Sequence, residues 1–371
     1  MKIYLDNSAT TPLSPFTKQF IINTLDTFGN PSSLHQDGIQ ANKLISNARE
    51  SVAKFINADT DDIIFTPSGS ASNTLAIRGY VEKHDCTLFY SPLLHKSALE
   101  CIKNTYLITD KLKVDSQGFI DVDDLESKMN PLKFKPFVIL EYANSEIGTI
   151  QNVKQIIDIV HKWKGVVYLD CTGSISTIPL NVKELDVDMA GFSAHKLGAL
   201  KGCAVLYKKK HIQLEPLIYG AQEQGLVGGT QNTLGIATLG YVIDNYNYSA
   251  ISSENRDYVY NYIINNIPDS YLIGAPIGDK RLLHNLYMCF KGVEGESLMM
   301  LLDMNGIEVS TGSACSSGSL QPSSTLVAIG MNKEDIHSCI RMSFGGNKTK
   351  EELDYVCEKL SECVEKLRDF K

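Results

Sequence analysis

Short runs of consecutive apolar and β-branched residues alternate along the chain with longer stretches in which apolar residues recur every three or four positions. The runs predict strands at residues 62–66, 87–91, 137–142, 166–170, 189–193 and 203–208; the longer periods predict helices such as 70–83 and 154–164. Strand–helix–strand repetition implies an α/β fold, a mostly parallel sheet flanked by helices on both faces. Ligands in such sheets bind beyond the carboxyl ends of the strands. Polar residues gather there: Ser68-Gly69-Ser70 after one predicted strand, His95 after the next, Glu146 after a third, Asp170 at the end of a fourth.

After about Asn245 the pattern changes. A Tyr- and Asn-rich helical stretch over 243–267 leads to strands at 285–290 and 339–344 and a last helix over about 350–370. The chain therefore divides into a large domain (13–245) and a smaller α+β domain (246–371), on which residues 1–12 pack.

A length of 371 residues suits two domains, and 43% apolar with 21% charged residues is ordinary for a globular enzyme. No run approaches the roughly 20 apolar residues of a membrane span, and the opening Met1-Lys2-Ile3-Tyr4-Leu5-Asp6 lacks the apolar core of a secretory signal. The expectation is a cytoplasmic protein with no membrane contact. A net charge of −8, from 35 basic and 43 acidic residues, argues against a nucleic-acid partner. The 9 cysteines are scattered, without a CxxC pair or metal-ligand spacing, so neither a disulfide framework nor a metal is expected and most should be buried. Cys315 differs, because Ser310-Thr311-Gly312-Ser313-Ala314 and Ser316-Ser317-Gly318-Ser319 flank it with small polar residues that have no burying period. It reads as a thiol on an accessible loop.

Candidate chemistry centres on Ser193-Ala194-His195-Lys196, which offers a hydroxyl, an imidazole and an amine on a short loop between strands. Pyridoxal phosphate chemistry needs that set: an amine to bond the aldehyde, and small donors to hold the phosphate. Ser68-Gly69-Ser70, where a strand gives way to a helix, forms a phosphate cradle from free helix amides and hydroxyls; an ordinary serine N-cap fits the same residues. Asp170 closes an apolar run, where a carboxylate needs a partner. A protonated pyridine nitrogen is one such partner, and an N-cap role is the alternative. His95 suits stacking on the ring or moving protons.

Longer motifs bring a resemblance into view. Tyr4-Leu5-Asp6-Asn7-Ser8-Ala9-Thr10-Thr11-Pro12, Gly29-Asn30-Pro31-Ser32-Ser33, Glu146-Ile147-Gly148, Gly292-Val293-Glu294-Gly295-Glu296-Ser297 and Val309-Ser310-Thr311-Gly312-Ser313-Ala314-Cys315 follow one another in order. In these the chain resembles group I (NifS/IscS-like) cysteine desulfurases of the class V aminotransferase family, of PLP-dependent transferase fold type I. The resemblance implies conversion of L-cysteine to L-alanine with pyridoxal 5′-phosphate as cofactor. Lys196 would hold the cofactor and shuttle the α-proton, Asp170 would pair with the pyridine nitrogen, and His95 would stack on the ring. Gly69, Ser70, Ser193 and His195 would bind phosphate, joined by Thr230 from the other subunit of a homodimer. Arg341, with Asn30, would receive the substrate carboxylate, for which a bidentate guanidinium is suited. Cys315 would take the sulfur as a persulfide and pass it to an acceptor protein, whose identity the sequence does not name.

Departures accompany the resemblance. The family's second Asn before Glu-Ile-Gly is Ser145, and the Gln expected after Asp-x-Thr is Gly173; both contact the ring hydroxyl in the family. Thr-Glu of the phosphate loop is Ser70-Ala71, arginines expected near Gln224 and Val227 are missing, and another is Gly346. Weaker cofactor retention is one expectation. A related lyase or aminotransferase acting on another small amino acid, such as selenocysteine, and a non-catalytic partner in sulfur trafficking are the alternative readings.

Overall fold

The computed structural model describes residues 1–129, 133–311 and 322–369. At its centre lies a seven-stranded sheet in the order Ile63–Thr66, Ala204–Lys208, Met189–Ser193, Val166–Asp170, Lys135–Glu141, Cys86–Tyr90, Thr109–Lys111. Ala204–Lys208 runs antiparallel to both neighbours, and every other pairing is parallel. Val166–Asp170 and Met189–Ser193 coincide with the predicted strands, and the other four agree within two residues. A sheet covered on both faces demands continuous apolar runs, which is why these strands stand out in the sequence.

Alternation along the strands sorts the side chains into two layers. Val138, Leu140, Val167 and Leu169 pack with Ile45 and Val52 of helix Gln36–Phe55 and Ile156 of helix Val153–Lys162. On the opposite face Phe137, Ile139 and Tyr168 pack with Leu75 and Ile77 of helix Gly69–Val81 and Ala98 and Ile102 of helix Lys96–Lys103. Asp170 and Glu141 end their strands on this second face, directly opposite one another in the parallel register.

A second core joins Ile3 and Leu5 to Val259, Leu286, Val356 and Leu360. It is built from the antiparallel strands Cys339–Ser343, Asn285–Phe290 and Ser270–Leu272 and the helix Lys350–Asp369, while Ile3–Tyr4 pairs in parallel with Ile307–Glu308. The helical stretch expected over 243–267 is interrupted. Helix Thr233–Asp244 ends there and Glu254–Asn266 begins afresh. Between them the Asn247 side chain accepts from the Ser249 amide, a local bond that competes with helix. The hydroxyls of Tyr246 and Tyr248 donate back to the carbonyls of Ser176 and Ile175, tying the break to the large core. All eight described cysteines are free thiols and seven of them are buried. Among the described residues no helix is long and apolar enough to cross a membrane.

Candidate active site

The strand Met189–Ser193 runs into a single 3₁₀ turn, Ala194–Leu197, closed by Gly198 at φ 85°. Glycine takes that left-handed conformation without the Cβ penalty, so the chain can reverse directly behind Lys196. The N-terminal segment straps this turn down. The Thr11 amide donates to the His195 carbonyl at 3.2 Å and the Thr11 hydroxyl to the Lys196 carbonyl at 3.0 Å. The Lys196 amine donates to the carbonyls of Ser8 and Ala9. Lys196 also borders a cavity of about 150 Å³ shared with Asn7, Thr11, Tyr246, His284 and Gly346. His195 Nδ1 lies 3.1 Å from the Thr10 hydroxyl. Burial, and then the charges of Lys196 and Lys201, push the His195 imidazole down to about 4, so it is neutral at physiological pH.

Helix Gly69–Val81 opens beside this turn. Ser68 Oγ accepts from the Ala71 amide at 3.2 Å, so the N-cap is real, and the amides of Gly69 and Ser70 stand at the helix mouth. A Cβ on Gly69 would overlap the Ser193 hydroxyl. Glycine therefore lets the helix terminus and the strand end close on each other. Helix amides, a serine hydroxyl and a neutral imidazole make a donor set suited to a phosphate dianion. Pyridoxal phosphate fits this cradle.

Asp170 is 5% exposed. Its Oδ1 accepts from the Thr172 amide at 2.9 Å and its Oδ2 from Asn73 Nδ2 at 3.1 Å. Asn73 also donates to Ser97 Oγ at 3.0 Å, and Ser97 Oγ lies 2.8 Å from His95 Nδ1. Two residues distant in sequence, Asp170 and His95, are thus joined through two that sequence reasoning passed over. A signal for Asn73 existed: at helical spacing it shares a face with Ala76, Ile77 and Tyr80, all buried.

The flank towards Ser145 is built differently. A Cβ on Gly173 would come 2.6 Å from the Ala143 carbonyl and 3.2 Å from the Ser145 amide. The two departures from the family pattern are therefore packed against each other. Glu141, which sequence reasoning left inside the predicted strand 137–142, accepts from the Ser91 hydroxyl at 3.2 Å. Its Oε2 is buried without a hydrogen-bond partner among the described residues. Burial, with Asp170 adding to it, pushes the Glu141 carboxyl up to about 7.

Arg341, on the Cys339–Ser343 strand, is 3% exposed and forms an ion pair with Asp6 at 2.9 Å. Its Nη1 donates to the Ser145 carbonyl at 3.3 Å, which brings it to the edge of the same site. Ser310 exchanges backbone hydrogen bonds with Arg341, so the chain leading towards Cys315 starts from this strand. Nearby, burial raises the Glu146 carboxyl; the hydroxyls of Ser323, Thr325 and Tyr287 bond it, and Arg341 lies close. Cys315 itself lies outside the described residues. Asn30 and Thr230 are exposed, and among the described residues neither forms a hydrogen bond with the other candidates; Asn30 Oδ1 accepts locally from the Ser32 amide.

The family description "Aminotransferase class-V" matches residues 3–356. A cysteine desulfurase IscS from Dictyoglomus turgidum is 38% identical over an alignment 391 positions long, gaps included, that covers 99% of this chain and 95% of that protein. A solved NifS-like protein superposes with a TM-score of 0.90 at 30% identity, covering 98% of this chain and 100% of the other. SspA, solved in complex with cysteine, gives a TM-score of 0.80 at 27% identity over 94% of this chain and 100% of its own. With the lysine turn, the helix-mouth cradle and the buried aspartate in one place, the chain belongs to the class V aminotransferase family, among its NifS/IscS-like cysteine desulfurases.

Proposed function

We propose that the protein binds pyridoxal 5′-phosphate and converts L-cysteine to L-alanine, holding the sulfur as a persulfide on Cys315 for an acceptor protein. The observation that carries this reading is the convergence of Lys196, the Gly69–Ser193 cradle and Asp170 at the carboxyl end of the sheet. When bound, the cofactor supplies an electron sink next to the substrate's α-carbon. Lys196 anchors it and carries the α-proton on Nζ. Gly69, Ser70, Ser193 and His195 hold the phosphate, with Thr230 of the partner subunit. Asp170 pairs with the ring nitrogen, His95 stacks on the ring, and Ser145 donates to its hydroxyl.

Arg341, steadied by Asp6, orients the substrate carboxylate with Asn30. Cys315 Sγ forms an S–S bond as the substrate C–S bond breaks. The departing electron pair goes to carbon, which is protonated to give alanine. An ordinary thiol has a pKa near 8.5, so only a few per cent of Cys315 is thiolate at neutral pH unless its surroundings lower it.

The same reading takes the two cores as two domains, 13–245 and 1–12 with 246–371, and the protein as a cytoplasmic homodimer. Phe16, Phe28 and Leu34, exposed by 77%, 82% and 93%, support the dimer, because apolar side chains so exposed in one region mark an interface. The test is alanine production from L-cysteine by cofactor-reconstituted protein beside Lys196→Ala and Cys315→Ala. Alanine and reducible sulfur that disappear in both variants support the assignment. Alanine formation unchanged in Cys315→Ala overturns the persulfide step, and protein that takes up no cofactor at all overturns the enzyme.

A further inference from the structure

We propose that Asn73 is a positioning residue that ties Asp170 to His95 and holds the neutral His95 ring as its Nε2–H tautomer. The consequence for catalysis rests on the cofactor reading above; the hydrogen-bond order belongs to the protein alone. The argument starts at Asp170. Its Oδ2 only accepts, so the Asn73 group 3.1 Å away is the NH2. The second N–H of that group points to Ser97 Oγ at 3.0 Å. The opposite end of the amide, Oδ1, accepts from the Tyr168 hydroxyl at 2.5 Å. Tyr168 has room to do so because Gly191 stands beside it, where a Cβ would overlap the hydroxyl. The Asn73 amide is therefore oriented from both ends.

Ser97 Oγ already accepts from Asn73, so its proton turns to His95 Nδ1 at 2.8 Å. The Ser97 backbone amide donates to the same nitrogen at 3.1 Å. A ring nitrogen receiving two donors carries no proton, which leaves the ring proton on Nε2. Nδ1 is then engaged and Nε2 already protonated. Neutral His95 offers no lone pair for the α-proton, and that step falls to the Lys196 amine.

The test is ¹⁵N NMR of histidine-labelled protein without cofactor, at a pH where the ring is neutral, with His95 assigned by its loss in His95→Gln. The expected wild-type pattern is a protonated Nε2 and an unprotonated, hydrogen-bonded Nδ1. Asn73→Leu should raise the minor Nδ1–H tautomer about fivefold, the weight of one net hydrogen bond. Ser97→Ala, at the less buried end of the chain of bonds, should shift it in the same direction and guards against a folding failure at Asn73. A wild-type ring protonated on Nδ1 overturns the proposal. So does a tautomer ratio unchanged in both variants when their circular dichroism is native. Cysteine turnover plays no part in this readout, so failure of the desulfurase reading would show separately, as absent alanine.

Discussion

The two flanks of Asp170 are built on opposite plans. Towards helix Gly69–Val81, Asn73 makes three side-chain hydrogen bonds, to Asp170, Ser97 and Tyr168. Towards strand Lys135–Glu141 the packing is tight but the polar groups are not all paired. Gly173 has no room for a side chain beside the Ala143 carbonyl, and Glu141 Oε2 is buried without a partner among the described residues. The first flank is oriented by bonds internal to the protein, so its geometry exists before any ligand arrives. The second is shaped by exclusion, and its most titratable group is set by desolvation. Both departures at the ring hydroxyl, Ser145 and Gly173, fall on the flank without a closed network, whereas on the helix Gly69–Val81 side the departure is Ser70-Ala71 at the helix mouth.

The sharpest way to break the contrast is at its shared member. Asp170→Asn keeps the shape but replaces an acceptor-only group by one that presents an NH2 to Asn73 or to the ring nitrogen. Removing one such preorganised electrostatic partner costs about a hundredfold to a thousandfold in turnover. Alanine formation measured on folded, cofactor-reconstituted protein checks this; a loss under tenfold would mean that Asp170 is a structural cap.

Glu141 sharpens the comparison from the other flank through pH. Its carboxyl is held up at about 7 against 4.5 for an ordinary glutamate. In the unfolded chain the proton leaves near the ordinary value, while in the folded protein it stays until about 7. The stabilisation is fully present below about pH 4.5 and is lost as pH rises through 7, about 3 kcal/mol in all. Glu141→Gln removes this dependence, so the variant should gain on the wild type between pH 5 and pH 8. Denaturant midpoints of the two proteins at both pH values provide the measurement, and parallel behaviour would show Glu141 to be ionised and solvated.

How far the sequence could be read divides along the same line. Strand positions, the lysine turn and the strand-end placement of Asp170 were readable because each leaves a local mark: an apolar run, a Gly-closed turn, a carboxylate where apolar residues precede it. The motif resemblance added Arg341, which no local pattern would have singled out, and gave a role to Cys315, which its small polar neighbours marked only as an accessible thiol. Asn73, Ser97 and Glu141 escaped because what gives them meaning is a neighbour from another element, and a hydrogen bond across 97 residues of sequence, as between Asn73 and Asp170, has no periodicity. The break after Asp244 escaped for a related reason: apolar residues on both sides keep a helical period, while Asn247 bonds locally to the Ser249 amide and the tyrosines on either side of it find partners elsewhere.

The smallest effect belongs to Ser145. The family's pair of ring-hydroxyl contacts is replaced here by Ser145 and Gly173, and only one of the two positions accepts a larger side chain. A Cβ at Gly173 already meets the Ala143 carbonyl at 2.6 Å, so restoring a glutamine there forces the backbone apart. Ser145 is half-buried, and its carbonyl is held by Arg341 and Asn285. Ser145→Asn adds a longer donor without disturbing either contact. One extra hydrogen bond is worth about 1 kcal/mol, so cofactor affinity should rise roughly fivefold. Fluorescence titration of cofactor-free protein with pyridoxal phosphate measures it. A larger gain would mean that the second flank limits cofactor retention on its own. No gain would mean that the closed network around Asn73 already sets the ring's position and that the open flank is free to vary.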